Sequence, residues 1–461
     1  MMNALVLMVM IASAQSKIDE QRMERDIEIA ENIFLTAIDC VLPEKLISGV
    51  MRMNRGSLEI GDLSFPLEEV ENIYVIGAGK ASASMGAEVE KILGNLITEG
   101  HIVVKYGHSC KLQYICVSEA GHPIPDANGY SATDKILRIA EIAGCNDIVI
   151  CLLSGGGSSL LPDIAEGCTV DDMIMVNDLL VSCGAAISEI NAVRKHLSVI
   201  KGGQLARVVY PATLVNLILS DVPGDQLDAI ASGPTVPDPT TYLQALSVLD
   251  TYGLSRLVPH SILTYLKEGV SGIRPETPKP GDQAFEKTFN LLIGSNKTAL
   301  DSAKNKAFEL NINAVIIDTQ LQGDAASVAE YLVETALRFK NDQNEIKPVC
   351  LLFGGETTVK VIEKGKGGRN QHLALLCSIL LKEHPGITIL ASGTDGNDGP
   401  TDAAGAVVDS DSYSTGLFRS MHPEKFLDNF DSYHFFKKTG GHIITGPTKT
   451  NVMDIIVVIV E

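Results

Sequence analysis

The segment DIVICLLSGGGSS (residues 147–159) joins an unbroken apolar run to three consecutive glycines between serines. Such a run is typical of a strand that is buried on both faces in a parallel sheet. Two other segments have the same form, namely residues 73–80 (IYVIGAGK) and residues 348–358 (PVCLLFGGETT). Ligands of doubly wound sheets bind just beyond the carboxyl ends of the strands. The three glycine-rich loops are therefore predicted to face a ligand.

Strand-like apolar runs alternate with helical segments along most of the chain. A stretch rich in proline and glycine at residues 270–287 separates two groups of such runs. The length of 461 residues exceeds what one core usually supports. We therefore predict an α/β fold with two domains and largely parallel, helix-flanked sheets. The expected division is a leader or disordered extension at 1–20, a first domain at 21–285 and a second at 286–461.

The net charge of the chain limits the kinds of molecule that it can bind. The formal net charge is −20, from 37 basic and 57 acidic residues. Nucleic acids and anionic membranes require a basic surface, so both are excluded as partners. No apolar stretch reaches the roughly 18–20 residues that span a bilayer. An anionic small molecule would have to be bound by individual cations in a cleft.

Cysteine usage and the N-terminus bear on the compartment. The nine cysteines show no CxxC pair and no zinc-like spacing, which is typical of a reducing compartment. Residues 4–14 contain an apolar run and an Ala-Ser-Ala sequence that resembles a signal-peptidase site, but no Lys or Arg precedes it. We expect a cytoplasmic location, with export left open.

The loop at residues 154–159 is the most specific candidate for anion binding. Consecutive glycines let the backbone approach a phosphate closely, and the flanking hydroxyls add hydrogen-bond donors. Gly155, Gly156, Gly157, Ser158 and Ser159 are therefore predicted to bind phosphate groups. The alternative is an unusual turn with a purely structural role.

Two cations follow glycines and are candidates for contacting an anion. Lys80 precedes a predicted helix, where the helix dipole opposes a cation unless an anion compensates it. The dinucleotide fingerprint fails at Ser82, where it needs a third glycine, and no Walker A pattern occurs. Arg369 ends the loop GKGGR (residues 365–369), and a guanidinium suits a carboxylate or a phosphate. A solvated basic loop is the alternative for Arg369.

Two carboxylates are candidate Mg²⁺ ligands. Asp221 follows the apolar run 213–219, and Asp395 follows the run 387–391. Mg²⁺ takes one or two carboxylates together with phosphate oxygens. An Asx-turn or a helix N-cap explains the same residues structurally.

Taken in order, these stretches resemble the glycerate 2-kinases that carry a C-terminal MOFRL domain. The likeness runs from about residue 28 to the C-terminus, and no motif position departs from the family pattern. The matching stretches are VIGAGKASASM (75–85), GHPIPD (121–126), LLSGGGSSLL (152–161), INAVRKHLSVIKGGQLA (190–206), LILSDVPGDQLDAIASGPTVPDPTT (217–241), GGETTV (354–359), GGRNQHLAL (367–375), SGTDGNDGPTDAAGAVVD (392–409) and TGGHIITGPTKTNVMD (439–454).

The resemblance implies two α/β domains with the active site in the cleft between them. It implies transfer of the γ-phosphoryl group of ATP to the 2-hydroxyl of D-glycerate, with a divalent metal such as Mg²⁺. Lys80 and Arg369 match the lysine and arginine that the family is thought to use in catalysis and substrate binding. The expected partners are ATP and D-glycerate, and a homodimer stays open.

Two other functions stay open at this point. Members of this family have often been labelled hydroxypyruvate reductases, and such an enzyme would bind a similar small carboxylate. It would also need a site for NAD(P)H, against which the broken fingerprint argues. A non-catalytic protein that binds acidic metabolites is the third interpretation, and it depends on export.

Overall fold

The computed structural model describes residue 22 and residues 24–461, and the predicted leader at 1–20 lies outside them. The chain divides into two compact units. The N-terminal unit is Pro43–Ser295, and the C-terminal unit is Asn296–Glu461 with the described residues before Pro43. None of the described helices is both long enough and apolar enough to cross a membrane.

Helix α1, over residues 24–40, belongs to the C-terminal unit although it precedes the N-terminal unit in sequence. One face of this helix is apolar and packs in the core, since Ile33 and Ala37 are completely buried. Just after the helix, the Thr450 hydroxyl donates a hydrogen bond to the Val41 carbonyl oxygen at 2.7 Å. The first described helix is thus attached to residues near the opposite end of the sequence.

The N-terminal unit follows the predicted alternation of strands and helices. Its elements in chain order are α2 (Pro43–Val50), β1 (Met51–Asn54), β2 (Ser57–Ile60), β3 (Leu63–Pro66), β4 (Ile73–Ala78), α3 (Ser82–Leu93), β5 (Ile97–Lys105), β6 (Cys116–Ala120), α4 (Ala127–Ile142), β7 (Ile148–Leu153), α5 (Gly157–Leu160), α6 (Val170–Ser182), α7 (Ile187–His196), α8 (Gln204–Val209), β8 (Thr213–Leu219), α9 (Tyr242–Thr251), α10 (His260–Val270) and β9 (Thr288–Gly294).

The main sheet of this unit has the order β6-β5-β4-β7-β8-β9, and every neighbouring pair is parallel. Strand β4 is the first in sequence. The chain adds β5 and β6 on one side of it, and β7, β8 and β9 on the other. The order of the strands therefore reverses between β4 and β7. In open α/β sheets, ligands bind beside this switch point.

A small antiparallel sheet, β1-β2-β3, was not predicted. Its strands are only four residues long each, so they show too little alternation to be recognised in the sequence. The predicted domain boundary at 285/286 precedes β9. That strand pairs with β8 in the N-terminal sheet, and the two units divide instead at 295/296.

The C-terminal unit contains helices on a second six-stranded sheet. Its further elements are α11 (Asn296–Glu309), β10 (Asn313–Asp324), α12 (Ala325–Asn341), β11 (Val349–Thr358), α13 (Arg369–Leu381), β12 (Ile387–Gly393), β13 (Gly405–Val408), α14 (Ser410–Phe418), α15 (Pro423–Asp428), α16 (Ser432–Thr439), β14 (His442–Ile443) and β15 (Asp454–Val460).

The second sheet has the order β10-β11-β15-β12-β13-β14. Strands β10 and β11 are parallel, whereas β15 runs antiparallel between β11 and β12. All seven residues of β15 are buried, which explains the apolar run at 455–460. The α/β fold class is confirmed. In this unit, however, antiparallel pairs complete the sheet, because an apolar run fixes the burial of a strand and not its direction.

Candidate active site

Two glycine-rich loops meet at the switch point of the N-terminal sheet. The Lys80 N–H donates to the Gly155 carbonyl oxygen at 2.9 Å, and the Ala81 N–H donates to Ser154 Oγ at 3.0 Å. Gly79 has a φ of +139°, and a Cβ there would lie 2.2 Å from Ser154 Oγ. Only glycine permits this approach. The loops that follow β4 and β7 are therefore one connected piece of backbone.

The serine–glycine loop, defined as residues 154–159, contains glycines for reasons of packing. Gly156 has a φ of +85°, and a Cβ on it would lie 2.7 Å from the His122 imidazole. A Cβ on Gly157 would lie 2.9 Å from the Cβ of Ala231. These contacts support the structural explanation of the two glycines. The phosphate-binding role of the loop stays a prediction.

A cavity of about 740 Å³ opens beside this loop, within the range of small-molecule sites. Residues 156–159 and Asp221 all contribute to its wall, so the structure brings these predicted residues together. The Ser159 hydroxyl donates to the Gly156 carbonyl oxygen at 3.1 Å. Neither Gly155 nor Lys80 is among the described residues of that wall.

His122 lies in the wall of the same cavity. Burial, together with the nearby positive charges of Lys80 and Lys105, lowers the pKa of His122 to about 4. The imidazole is therefore neutral near pH 7, and it offers a hydrogen bond rather than a charge.

Arg369 lies in the C-terminal unit as the first residue of α13. Its Nε and Nη2 donate to the two carboxylate oxygens of Asp454 at 2.6 and 2.9 Å, and its Nη1 lies 2.7 Å from Glu356 Oε1. Burial lowers the pKa of Arg369, but the carboxylates of Asp454 and Glu356 outweigh burial and raise it above the usual value. The predicted carboxylate-binding arginine thus already binds two carboxylates of its own chain.

Asp398 lies at the beginning of the same helix and is 2% exposed. Its carboxylate accepts hydrogen bonds from the backbone N–H groups of Asn370 and Gln371 at 3.0 and 2.8 Å. Burial raises the pKa of Asp398 to about 6 despite these bonds, and the negative charge of Asp454 contributes to the rise. The start of α13 therefore carries a carboxyl group that titrates near neutral pH.

The candidate metal ligands Asp221 and Asp395 lie in different units. Asp221 contributes to the cavity wall, whereas Asp395 Oδ1 accepts a hydrogen bond from the Asn397 N–H at 3.0 Å, as in an Asx-turn. Across residues 22 and 24–461, no group of three or more His, Cys, Asp or Glu side chains is arranged to hold a metal ion. Asp163 and Asp178 also contribute carboxylates to this wall. One or two carboxylates fit Mg²⁺ that arrives with a nucleotide, because phosphate oxygens and water would supply its other ligands.

Comparison with known proteins identifies relatives over nearly the whole length. Residues 29–267 match the family model "Domain of unknown function (DUF4147)", and residues 349–454 match the MOFRL family. A D-glycerate 2-kinase of Thermotoga maritima is 39% identical over 435 residues, which cover 93% of this chain and 97% of that protein. The chain belongs to the glycerate 2-kinase family.

The solved structures agree with this assignment to the glycerate 2-kinase family. The crystal structure of a glycerate kinase from Thermotoga maritima has a TM-score of 0.84 and 38% identity, and the match covers 95% of this chain and 100% of that one. A protein of Agrobacterium vitis named "Putative hydroxypyruvate reductase" is 41% identical over 83% of this chain and 85% of its own length. The family resemblance stated from the motifs is confirmed.

The two ranges of the chain that match family models contain all the predicted site residues. Lys80, the serine–glycine loop and Asp221 lie within the first matched range, and Arg369 and Asp395 lie within the second. The motifs also contained residues that sequence analysis did not single out as site residues. These are His122, Arg194, Asp398 and Asp454. Their positions in the quoted motifs were the only signal, because their partners lie far away in sequence.

Proposed function

We propose that this chain transfers the γ-phosphoryl group of ATP to the 2-hydroxyl of D-glycerate, giving 2-phosphoglycerate and ADP. The observation that carries this proposal is the likeness, over 93% of the chain, to a D-glycerate 2-kinase. The geometry supports it, because a cavity of nucleotide size opens beside a glycine-rich loop at the switch point of a parallel sheet.

The chemistry requires charge neutralisation more than covalent participation. The 2-hydroxyl oxygen forms a bond to the γ-phosphorus as the bond from that phosphorus to the bridging oxygen of ADP breaks, and the hydroxyl proton is lost to a base or to water. Negative charge is present throughout, so fixed cations and N–H groups lower the barrier. We assign stabilisation of the transferring phosphoryl group to Lys80 and binding of the nucleotide phosphates to residues 155–159.

Binding of the glycerate carboxylate is assigned to Arg369. A guanidinium has five N–H donors, so its contacts with Asp454 and Glu356 leave part of that set for a substrate. The two internal carboxylates also hold the guanidinium in one orientation before glycerate arrives. Such preorganisation reduces the entropy lost on binding.

A divalent cation, Mg²⁺, completes the proposed site. When bound, it would neutralise negative charge on the phosphate groups. Asp221 is the candidate ligand in the cavity wall, and Asp395 is a second candidate in the C-terminal unit. Chelating Mg²⁺ with EDTA in the assay should abolish turnover, and adding excess Mg²⁺ should restore it.

The proposed reaction is tested with a coupled assay. Purified protein is incubated with ATP, Mg²⁺ and D-glycerate, and the product is identified as 2- or 3-phosphoglycerate by its separate coupling to enolase. Formation of 2-phosphoglycerate is expected. Oxidation of NADH or NADPH by hydroxypyruvate, without ATP consumption on D-glycerate, would establish the reductase instead.

The compartment and assembly state belong to the same proposal. We propose a cytoplasmic enzyme, since ATP is its substrate. The intact mass of the protein from its native cell should show no cleavage after Ala14.

We propose a homodimer as the assembly to test. Light scattering on the purified chain measures the mass of the assembly directly.

A further inference from the structure

The cavity of the N-terminal unit contains a cation to which neither the family resemblance nor the proposed function assigns a role. Arg194, near the end of α7, contributes to the cavity wall beside residues 156–159. Within the described part of the chain, its guanidinium makes one hydrogen bond, from Nε to Asn177 Oδ1 at 2.8 Å, and no ion pair with a carboxylate. Burial lowers its pKa, and no acidic neighbour offsets this effect.

Neighbouring cations of the same segment are neutralised. Lys195 lies 3.4 Å from Asp228 and 3.5 Å from Asp238, and Lys201 lies 3.1 Å from Asp163. Arg194 differs from both, although the chain carries an excess of carboxylates. A half-buried charge without a counter-ion raises the free energy of the folded protein. A bound anion would remove that cost.

The other walls of the cavity indicate which anion binds there. Ile124 and Val181 line it although these residues are 75% and 62% exposed, so they form an apolar surface that is open to a ligand. Asp178 and Asp221 contribute carboxylates to the same wall. Cationic, acidic and apolar groups together fit a magnesium nucleotide, which carries phosphates, a metal ion and an apolar base. A small acid such as glycerate would leave the apolar surface unused.

We propose that Arg194 binds the phosphate chain of the nucleotide in this cavity. The inference rests on the proposed kinase function and assigns the nucleotide to the N-terminal unit. Asn177 is a positioning residue, because its Oδ1 holds Nε and leaves the Nη groups for the ligand. The guanidinium then supplies charged donors in the same cavity wall as the backbone of the serine–glycine loop, and both bind phosphate.

Calorimetric titration of Mg²⁺·ADP tests the assignment. Arg194→Met should raise the Kd for ADP about 10- to 100-fold, the usual effect of losing charge-assisted hydrogen bonds. Arg256→Met is the matched control, since Arg256 is exposed elsewhere in the same unit, and its Kd should equal that of the wild type. Unchanged ADP binding by a folded Arg194→Met protein, or selective loss of D-glycerate binding, would overturn the proposal.

A second variant keeps the test decisive if Arg194→Met does not fold. Asn177→Asp has nearly the same shape but places a carboxylate beside Nε, where it neutralises the guanidinium. A phosphate-binding role predicts weaker ADP binding by the folded variant. The melting temperature serves as the check of folding, because Asp also loses the hydrogen bond that Asn177 Nδ2 donates to the Met173 carbonyl oxygen at 2.8 Å. A purely structural role predicts unchanged ADP binding. The coupled assay on the wild type is independent: without 2-phosphoglycerate formation the proposed function fails, while the ADP titrations still decide the role of Arg194.

Discussion

At the scale of single residues, the two predicted catalytic cations have different surroundings. Lys80 follows a strand of the N-terminal sheet, and its backbone N–H is bonded to the serine–glycine loop. Arg369 is held by two carboxylates of the C-terminal unit. The sequence indicated both cations, because each follows glycines after an apolar run. It could not indicate that Arg369 forms an ion pair with Asp454, because the two residues are 85 positions apart in sequence.

Replacing Lys80 by Ala should lower kcat/KM by about 10²–10⁴, the effect of losing a preorganised charge at the transferring phosphoryl group. The measurement is steady-state kinetics on D-glycerate. Lys91→Ala is the control, since the Lys91 side chain is 64% exposed and pairs only with its helix neighbour Glu88 among the described ion pairs. Near-normal turnover of a folded Lys80→Ala protein would remove Lys80 from the catalytic set.

Replacing Arg369 by Lys should lower kcat/KM for D-glycerate about 100-fold, because an ammonium group cannot form the bidentate pair of hydrogen bonds that a guanidinium forms with a carboxylate. It should also lower the melting temperature, since the same bond joins Arg369 to Asp454. Asp454→Asn separates the two effects: it weakens the internal pair and leaves the guanidinium in place. If both variants lose activity only in proportion to stability, Arg369 has a structural role alone.

At the scale of elements, the predicted strands and glycine loops agree with the structure. Apolar runs located β4, β7, β8, β11 and β12, since burial on both faces demands uninterrupted apolar residues. Short strands with exposed residues were missed. Pairing direction was not accessible, as β15 illustrates, because it depends on which strands lie on either side of it.

The close packing of the serine–glycine loop predicts an effect on stability. Gly156→Ala should lower the free energy of unfolding by about 1–3 kcal/mol, because the new Cβ meets the His122 ring at a positive φ. Removing the ring with His122→Ala should recover part of the loss in the double variant. Denaturant unfolding of the four proteins measures this coupling, and strictly additive effects would show that the ring is not the obstacle.

The start of α13 predicts a pH dependence of stability. The pKa of Asp398 is about 6 in the folded chain and near 3.8 when unfolded, so the folded state binds the proton more tightly. The stability that this group contributes is complete below about pH 4 and is lost as the pH rises through about 6. Asp398→Asn should therefore gain stability relative to the wild type over that interval and no further above it. A melting-temperature difference that is constant from pH 4 to 7 would contradict this assignment.

At the scale of the whole molecule, the C-terminal unit is assembled from two separate parts of the chain. Helix α1 belongs to it, yet the whole N-terminal unit lies between α1 and Asn296 in sequence. Besides the Thr450 bond, the Ser302 hydroxyl donates to the Thr36 carbonyl oxygen at 3.4 Å. Composition and length predicted two domains. Local sequence patterns cannot show that the first helix belongs to the unit formed by the C-terminal part of the chain.

This arrangement predicts the effect of removing residues 1–42. The truncated protein should lose hydrogen-exchange protection mainly in α11, to which α1 is hydrogen-bonded, and in β11, which α11 contacts. Protection in β4 and β7 should change little, and these strands serve as the internal control. Equal loss in both sheets would show that α1 supports the two units alike.

The position of β15 has a consequence for synthesis on the ribosome. The strand lies between β11 and β12, so residues 454–460 must leave the exit tunnel before the second sheet can close. The N-terminal unit ends at Ser295 and can fold while translation continues. Until β15 has been synthesised and has paired with β11 and β12, the edges of these two strands are exposed to other nascent chains. A ribosome stalled shortly before residue 454 would therefore hold one folded unit and one that needs a chaperone.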